Sequence, residues 1–315
     1  MSGIENTIVL FWFYKELPLC IERIKHFKRL NPNTLVYGLY GGQTPKIGEL
    51  DEIAKYLEHL YIFDKQKSTQ WKWMSGDQML IEWYRQIGFQ FDWQKVFILQ
   101  WDLSMYQPLS FFIGDVKDNQ YVIPGIRDIE NVKSWWAWYE ESKIDDFRNY
   151  LNSSMNYDGP VFCSLFICAL LPRQFFEYFL SREYSEKYFL EYKIPTILNA
   201  LGYQPFEAKW LKPYWSEELL DNYVPIEERC LIAVGHGIPK EVIKKNILSN
   251  QQMIFHPCYE SLSNLEELSY GSTTLSATEK CKLLMLNIEA YAKYRVKKLI
   301  GYNRAHRGGL LKYIK

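Results

Sequence analysis

Residues 8–40 read IVLFWFYKELPLCIERIKHFKRLNPNTLVYGLY. Ile8–Tyr14 is an unbroken apolar run of β-branched and aromatic residues, the pattern of a strand buried on both faces of a parallel sheet. Leu19–Leu30 follows with apolar residues at Leu19, Ile21, Ile24, Phe27 and Leu30, close to helical spacing. Asn31-Pro32-Asn33 stops that helix. Leu35–Tyr40 is a second strand, ended by Gly41-Gly42. Strand, helix and strand in this order make one βαβ unit.

Reading outward, Ile47–Leu57 predicts a helix and Leu60–Phe63 a short strand. Lys65–Ser75 is polar and Trp-bearing and reads as a loop. Asp77–Ile87 predicts a helix with Asp77 as N-cap and an apolar stripe at Met79, Leu80, Trp83, Tyr84 and Ile87. Val96–Leu99 is another buried strand and runs into Gln100-Trp101-Asp102; Tyr121–Ile123 is a further short one. The first half is therefore an α/β sheet with mainly parallel strands. In the second half Trp135–Tyr150, Arg173–Tyr184, Tyr188–Leu201 and Thr278–Leu299 read as helices, the last one amphipathic. Pro195 inside the third predicts a kink or break. Val161–Leu170 reads as strand or helix, and Leu231–Val234 as a last sheet strand before Gly235-His236-Gly237. No internal repeat, low-complexity stretch or linker is evident.

The chain has 315 residues, 48% hydrophobic and 17% aromatic, which excludes a disordered chain, a collagen or a disulfide miniprotein. Its 37 basic and 37 acidic residues balance, which argues against a dedicated nucleic-acid binder. The length suits one large domain, or a catalytic domain with a smaller appendage. The six cysteines (Cys20, Cys163, Cys168, Cys230, Cys258, Cys281) include no C-x-x-C pair and read as buried thiols of a reduced compartment. Glu5 stands where a signal peptide would want positive charge, and the longest apolar run, Val161–Leu171, is short of a membrane span. The expectation is a soluble, cytoplasmic protein.

Open α/β sheets bind ligands outside the carboxyl ends of their strands. Three such ends are Phe13-Tyr14-Lys15-Glu16, Tyr40-Gly41-Gly42 and Gln100-Trp101-Asp102. The third, with Pro108-Leu109 after it, resembles the acid-x-acid region of GT-A fold glycosyltransferases, which use a nucleotide-diphosphate sugar. Asp102 matches the second acid of that motif, and Gln100 stands in place of the first. The resemblance spans roughly residues 4–260 as an order of elements. It implies a GT-A-like, mostly parallel Rossmann-type α/β sheet flanked by helices, with residues 1–260 the catalytic domain. Residues 261–315 are then a helical, basic extension packed on it.

The resemblance further implies a divalent cation (Mn2+ or Mg2+) bridging carboxylate and pyrophosphate, with Asp102 and His256 as ligands. Gln100 leaves metal dependence open, and Asp102 also fits a turn cap or a partner for a sugar hydroxyl. Donor-binding positions are Phe13, Tyr14, Lys15, Tyr40, Gly41, Lys72, Asp77, Gln100, Trp101 and Asp102. For Phe13 a core position, and for Asp77 an N-cap, are the plain alternatives. Glu191 is the first candidate for the base that takes the acceptor proton, and Asp158 the second. His236 is a weaker alternative to His256. In Trp135-Trp136-Ala137-Trp138-Tyr139 a helix would set Trp136 apart from the packed face, as a sugar platform or interface.

Tyr291–Lys315 holds eight basic residues and no acid, which suits anionic lipid, the donor pyrophosphate through Arg304 or Arg307, or plain solvation. The expected activity is transfer of a sugar from a UDP- or GDP-sugar to a saccharide, lipid-linked or protein acceptor, with no nucleic-acid partner. A nucleotidyltransferase of related topology is one alternative, although Tyr14-Lys15-Glu16-Leu17-Pro18 lacks that class's glycines. A non-catalytic saccharide- or protein-binding relative is the other, supported by Gln100.

Overall fold

The structure is a computed structural model that describes residues 6–215, 219, 222–232, 237–261 and 274–299. Strand β1 (Thr7–Phe13) is buried at every position. Helix α1 (Leu17–Leu30) buries Cys20, Arg23, Ile24 and Phe27, one stripe at helical spacing. Asn31 ends it as expected: its side-chain amide donates to the Phe27 carbonyl at 2.9 Å, and its Oδ1 accepts from the Leu109 amide at 2.7 Å. Strand β2 (Val36–Tyr40), a single helical turn α2 (Asp51–Ala54) and β3 (Leu60–Ile62) complete one side of the sheet. Helices α3 (Thr69–Met74) and α4 (Asp77–Gln86) lead back to β4 (Lys95–Gln100) on the other side of β1.

The sheet order is β3-β2-β1-β4-β9, with β9 (Cys168–Pro172) antiparallel to β4 and every other pair parallel. The expected α/β class, mostly parallel and flanked by helices, is therefore present. The chain moves outward from β1 through β2 and β3, then returns to the far side of β1, so the strand order reverses between β1 and β4. A crevice forms outside the carboxyl ends at such a point. The register aligns those ends: Phe13 lies opposite Tyr40, and Trp12 opposite Gln100.

Between β4 and β9 lie β5 (Ser104–Met105), α5 (Leu109–Ile113), β6 (Gln120–Tyr121), β7 (Arg127–Asp128), α6 (Glu141–Met155) and β8 (Phe162–Cys163). After β9 come α7 (Arg173–Tyr178), α8 (Leu190–Ala200), β10 (Gln204–Pro205), α9 (Lys240–Ser249), β11 (Ile254–Phe255) and α10 (Ala277–Leu299). Rings fill the layer beside α4: Trp83, Tyr84, Trp93 and Phe176 meet at centroid distances of 5.2–6.5 Å. Each such buried ring contributes about 1.5–3 kcal/mol, so much of the aromatic excess is core.

Several expectations are corrected. The tract at 65–75 holds a helix, α3, because Ser68 caps it by accepting from the Trp71 amide at 3.1 Å. Trp135–Tyr139 forms turns, and α6 begins only at Glu141. For Val161–Leu170, where the sequence leaves strand and helix both open, the outcome is two short strands. Leu231 and Ile232 make single bridges to His256 and Tyr214 instead of joining the main sheet; 233–236, with His236, lie outside the described residues. Cys281 is exposed, whereas the other five thiols are buried. Helix α8 runs unbroken through Pro195. The missing Pro195 N–H frees the Glu191 carbonyl, which accepts instead from the Ser164 amide (2.9 Å) and hydroxyl (3.0 Å).

Candidate active site

A cleft of about 1520 Å³ opens at the carboxyl ends of β1, β2 and β4. Tyr14, Lys15, Tyr40, Gly41, Lys72, Gln100, Trp101, Asp102, Glu191 and His256 all line it, ten of the sequence-designated positions in one place. Phe13, Asp77 and Asp158 do not.

Asp102 and His256 meet because β5 and β11 pair antiparallel, Phe255 opposite Ser104. The ladder carries on one step, the Cys258 amide donating to the Asp102 carbonyl at 2.7 Å. Asp102 Oδ1 then lies 3.5 Å from His256 Nε2, both side chains nearly buried. His256 Nδ1 lies 2.9 Å from the Ile232 carbonyl. A carbonyl only accepts, so Nδ1 carries a proton, and in the neutral ring Nε2 would turn its lone pair toward the carboxylate. Asp102 Oδ1 is buried and has no hydrogen-bond partner. With the ring neutral, two lone-pair atoms would face one spot, an arrangement that fits a cation. Among the described residues no group of three or more His, Cys, Asp or Glu side chains converges. A divalent ion here would need further ligands from water or a bound molecule.

Gln100 is occupied otherwise. Its Nε2 donates to the Phe166 carbonyl at 2.7 Å, a bond no carboxylate can make. The Phe166 amide in turn donates to Glu191 Oε1 at 3.2 Å. One residue, Phe166, therefore ties the end of β4 to the first turn of α8.

Charge and rings line the rest. The Trp101 ring stacks on Tyr259 (5.7 Å, 20°) and meets Tyr14 edge-on (5.7 Å), with Lys15 Nζ 4.9 Å from its centroid. Lys72 Nζ donates to the Gly42 carbonyl at 2.7 Å, and burial holds its pKa below the ordinary lysine value. Gly42 is required for space: a Cβ there would run into the Tyr40 hydroxyl and approach the Tyr14 carbonyl to 2.7 Å. The turn from β1 into α1 passes through the left-handed region at Glu16 (φ 54°), a strained conformation of the kind found beside binding sites.

Three designated residues are corrected. Phe13 is core: strand alternation turns Trp12 and Tyr14 to the cleft and Phe13 away, onto Phe11 (5.4 Å) and Tyr40 (5.3 Å). Asp77 is neither N-cap nor donor contact. It is the first residue of α4, wholly buried, 2.7 Å from Lys193 Nζ, and its Oδ2 accepts from the Tyr184 hydroxyl at 2.6 Å. Burial pulls the Lys193 pKa down, and Asp77 opposes that shift. The pair pins α8 to α4 and so positions Glu191 from beneath. Asp158 sits on an exposed loop after α6.

Tyr259, Trp12 and the Phe166 peptide were not singled out from sequence. Tyr259 lies three residues after His256, and that proximity was the only signal for it.

At the level of sequence, neither a family model nor a curated relative matches. Solved structures that resemble the chain include the apo WbbM bifunctional glycosyltransferase (9% identity, TM-score 0.39, 83% of this chain and 47% of that one). They also include core-mannan synthase A (CmsA/Ktr4) from Aspergillus fumigatus in an Mn/GDP form (10%, 0.31, 64% of each chain). A third is the galactosyltransferase LgtC with donor and acceptor sugar analogs (11%, 0.31, 68% and 69%). The chain spans about half the length of the first. These likenesses are remote, and the functional reading rests on the cleft itself.

Proposed function

We propose that the chain is a glycosyltransferase that moves a sugar from a nucleotide-diphosphate sugar to an acceptor hydroxyl. The observation that carries this is the convergence of the unpartnered Asp102 Oδ1 and of His256 Nε2 at the reversal point of the sheet. The nucleoside lies against Tyr14, Tyr40 and Gly41, and the pyrophosphate is met by Lys15 and Lys72. Asp102 and His256 would hold a divalent cation, which when bound offsets charge on the leaving pyrophosphate.

Glu191 accepts the proton of the acceptor hydroxyl as its oxygen bonds to the anomeric carbon. The bond from that carbon to the pyrophosphate breaks, and nucleoside diphosphate leaves. Gln100 serves to hold Phe166 and so to aim Glu191. The same commitment of Gln100 favours a second reading, a saccharide binder without turnover. The nucleotidyltransferase alternative gains nothing from the tight turn Tyr14–Pro18, which offers no glycine cradle.

Among the described residues no helix is long and apolar enough to cross a membrane. Helix α10 exposes Leu284, Met285, Ile288 and Val296 together with lysines, which supports peripheral contact with anionic lipid. Arg304, Arg307, Lys312 and Lys315 lie outside the described residues.

Thermal shift with UDP, GDP and their sugars, with and without Mn2+, tests the proposal. Stabilisation by a nucleotide that grows with Mn2+ supports it, and no shift with any of them overturns it. Release of nucleoside diphosphate then separates a transferase from a binder.

A further inference from the structure

Trp73 and Trp138 are the most exposed tryptophans described, 43% and 38% accessible, yet they touch each other. Their rings meet edge to face at 4.6 Å. Phe189 lies against both, at 5.3 Å from Trp73 and 5.7 Å from Trp138. Two sequence-distant elements therefore build one ledge, Trp73 from α3 and Trp138 from the turns before α6. The ledge is held from behind. Trp136, the ring first considered as a platform, is only 4% exposed and packs on Phe189, Tyr192 and Trp215. Lys72, next to Trp73, is anchored on the Gly42 carbonyl.

Core packing does not account for this pair, since 43% of Trp73 and 38% of Trp138 stay open to solvent. The ledge is continuous with the cleft, which Trp73 and Phe189 both line. Phe189, which touches both rings, is the N-cap residue of α8 two residues before Glu191, so the ledge rests on the helix start that carries the carboxylate, with about 7 Å of chain between them. An aromatic face carries partial negative charge and attracts the polarised C–H groups of a sugar ring, while the ring's hydroxyls stay in water at the open edge. A lipid tail on an open two-ring ledge would remain half wet, which disfavours it.

We infer that Trp73 and Trp138 form the acceptor subsite and that the acceptor is a saccharide, stacked on the ledge with a hydroxyl directed to Glu191. This deepens the glycosyltransferase reading and rests on it for the role of Glu191.

Saturation-transfer NMR with lactose, maltotriose, mannobiose and diacetylchitobiose, each with and without UDP or GDP plus Mn2+, tests the ledge. Wild type should show contact to the ring protons of at least one saccharide. The Trp73→Ala/Trp138→Ala double variant should bind it about tenfold more weakly or worse. Trp73→Phe/Trp138→Phe, which restores two rings, should recover most of the binding. Unliganded melting curves read in parallel establish that each variant is folded. Equal binding by the double alanine variant overturns the inference, as does absence of contact from every saccharide with wild type. Nucleotide-induced stabilisation of wild type, read separately, reports on the donor site. Its absence alongside ring-dependent saccharide binding would sink the transferase reading and leave the ledge as a saccharide site.

Discussion

Asp102 Oδ1, buried with no hydrogen-bond partner, and His256 Nε2 face each other across 3.5 Å at the reversal point of the sheet. A carboxylate and an imidazole nitrogen held this close call for a positive charge between them, a proton on Nε2 or a bound cation. The backbone forces the meeting: His256 is held by the Cys230 carbonyl and the Ile232 amide, and Asp102 by the Cys258 amide. Arg23 braces the same segment through the Cys258 and Glu260 carbonyls at 3.1 and 2.7 Å.

If the two side chains share one ion, their losses are not additive. Asp102→Ala and His256→Ala should each abolish most of the Mn2+-dependent gain in nucleotide affinity, and the double variant little more. Calorimetric titration of nucleotide with and without Mn2+ checks this. Fully additive effects would mean that the residues act separately.

Glu191→Gln keeps an acceptor for the Phe166 amide but removes the base. Turnover should fall by about a hundredfold or more, with nucleotide affinity little changed. Steady-state transfer kinetics with a titration of donor distinguish the two. Unchanged turnover removes Glu191 from the chemistry.

Gln100 is where the sequence departs from the acid-x-acid pattern. Gln100→Glu sets a carboxylate against the Phe166 carbonyl and should cost about 1–3 kcal/mol of stability, seen as a lower Tm. An unchanged Tm with tighter Mn2+ binding would show instead that position 100 is a vacated ligand.

Asp77→Ala strands the buried Lys193 charge and should destabilise by about 3–5 kcal/mol. The Asp77→Ala/Lys193→Met double variant should regain most of that in urea denaturation. If Asp77→Ala melts like wild type but loses nucleotide binding, the donor-contact reading of Asp77 returns.

Glu279 links α10 to α9 through Lys244 at 2.6 Å, and that bond, with the Ser276 amide, holds its pKa down to about 2. A lowered folded pKa favours the folded state above the ordinary glutamate range and loses that effect as pH falls toward the folded value. Glu279→Gln should therefore destabilise the fold at pH ~7 by less than about 1 kcal/mol, as for a solvent-screened pair, seen as a slightly lower Tm. The gap should narrow toward pH ~3. A gap independent of pH would contradict the sign.

Continuous apolar runs made the central sheet legible: IVLFWFY, LVYGLY and VFIL become β1, β2 and β4. Residues at their carboxyl ends were legible for the same reason, because topology alone sends Tyr14, Gly41 and Asp102 to one crevice. What depended on distant partners was not. An aspartate before an apolar stripe looks like a cap, and only Lys193, 116 positions away, makes Asp77 a buried ion. Pro195 reads as a helix breaker until Ser164 takes the freed carbonyl. Trp136 and Trp138 exchange roles because turns, not a helix, carry them.

The most direct measurement is a crystal structure with UDP or GDP and Mn2+, the ion located by its anomalous scattering. The expected result is an anomalous peak in bonding range of both Asp102 and His256, with the nucleoside against Tyr14 and Tyr40. A nucleotide bound in the cleft with no peak at that pair, or bound outside the cleft, would contradict the assignment of Asp102 and His256.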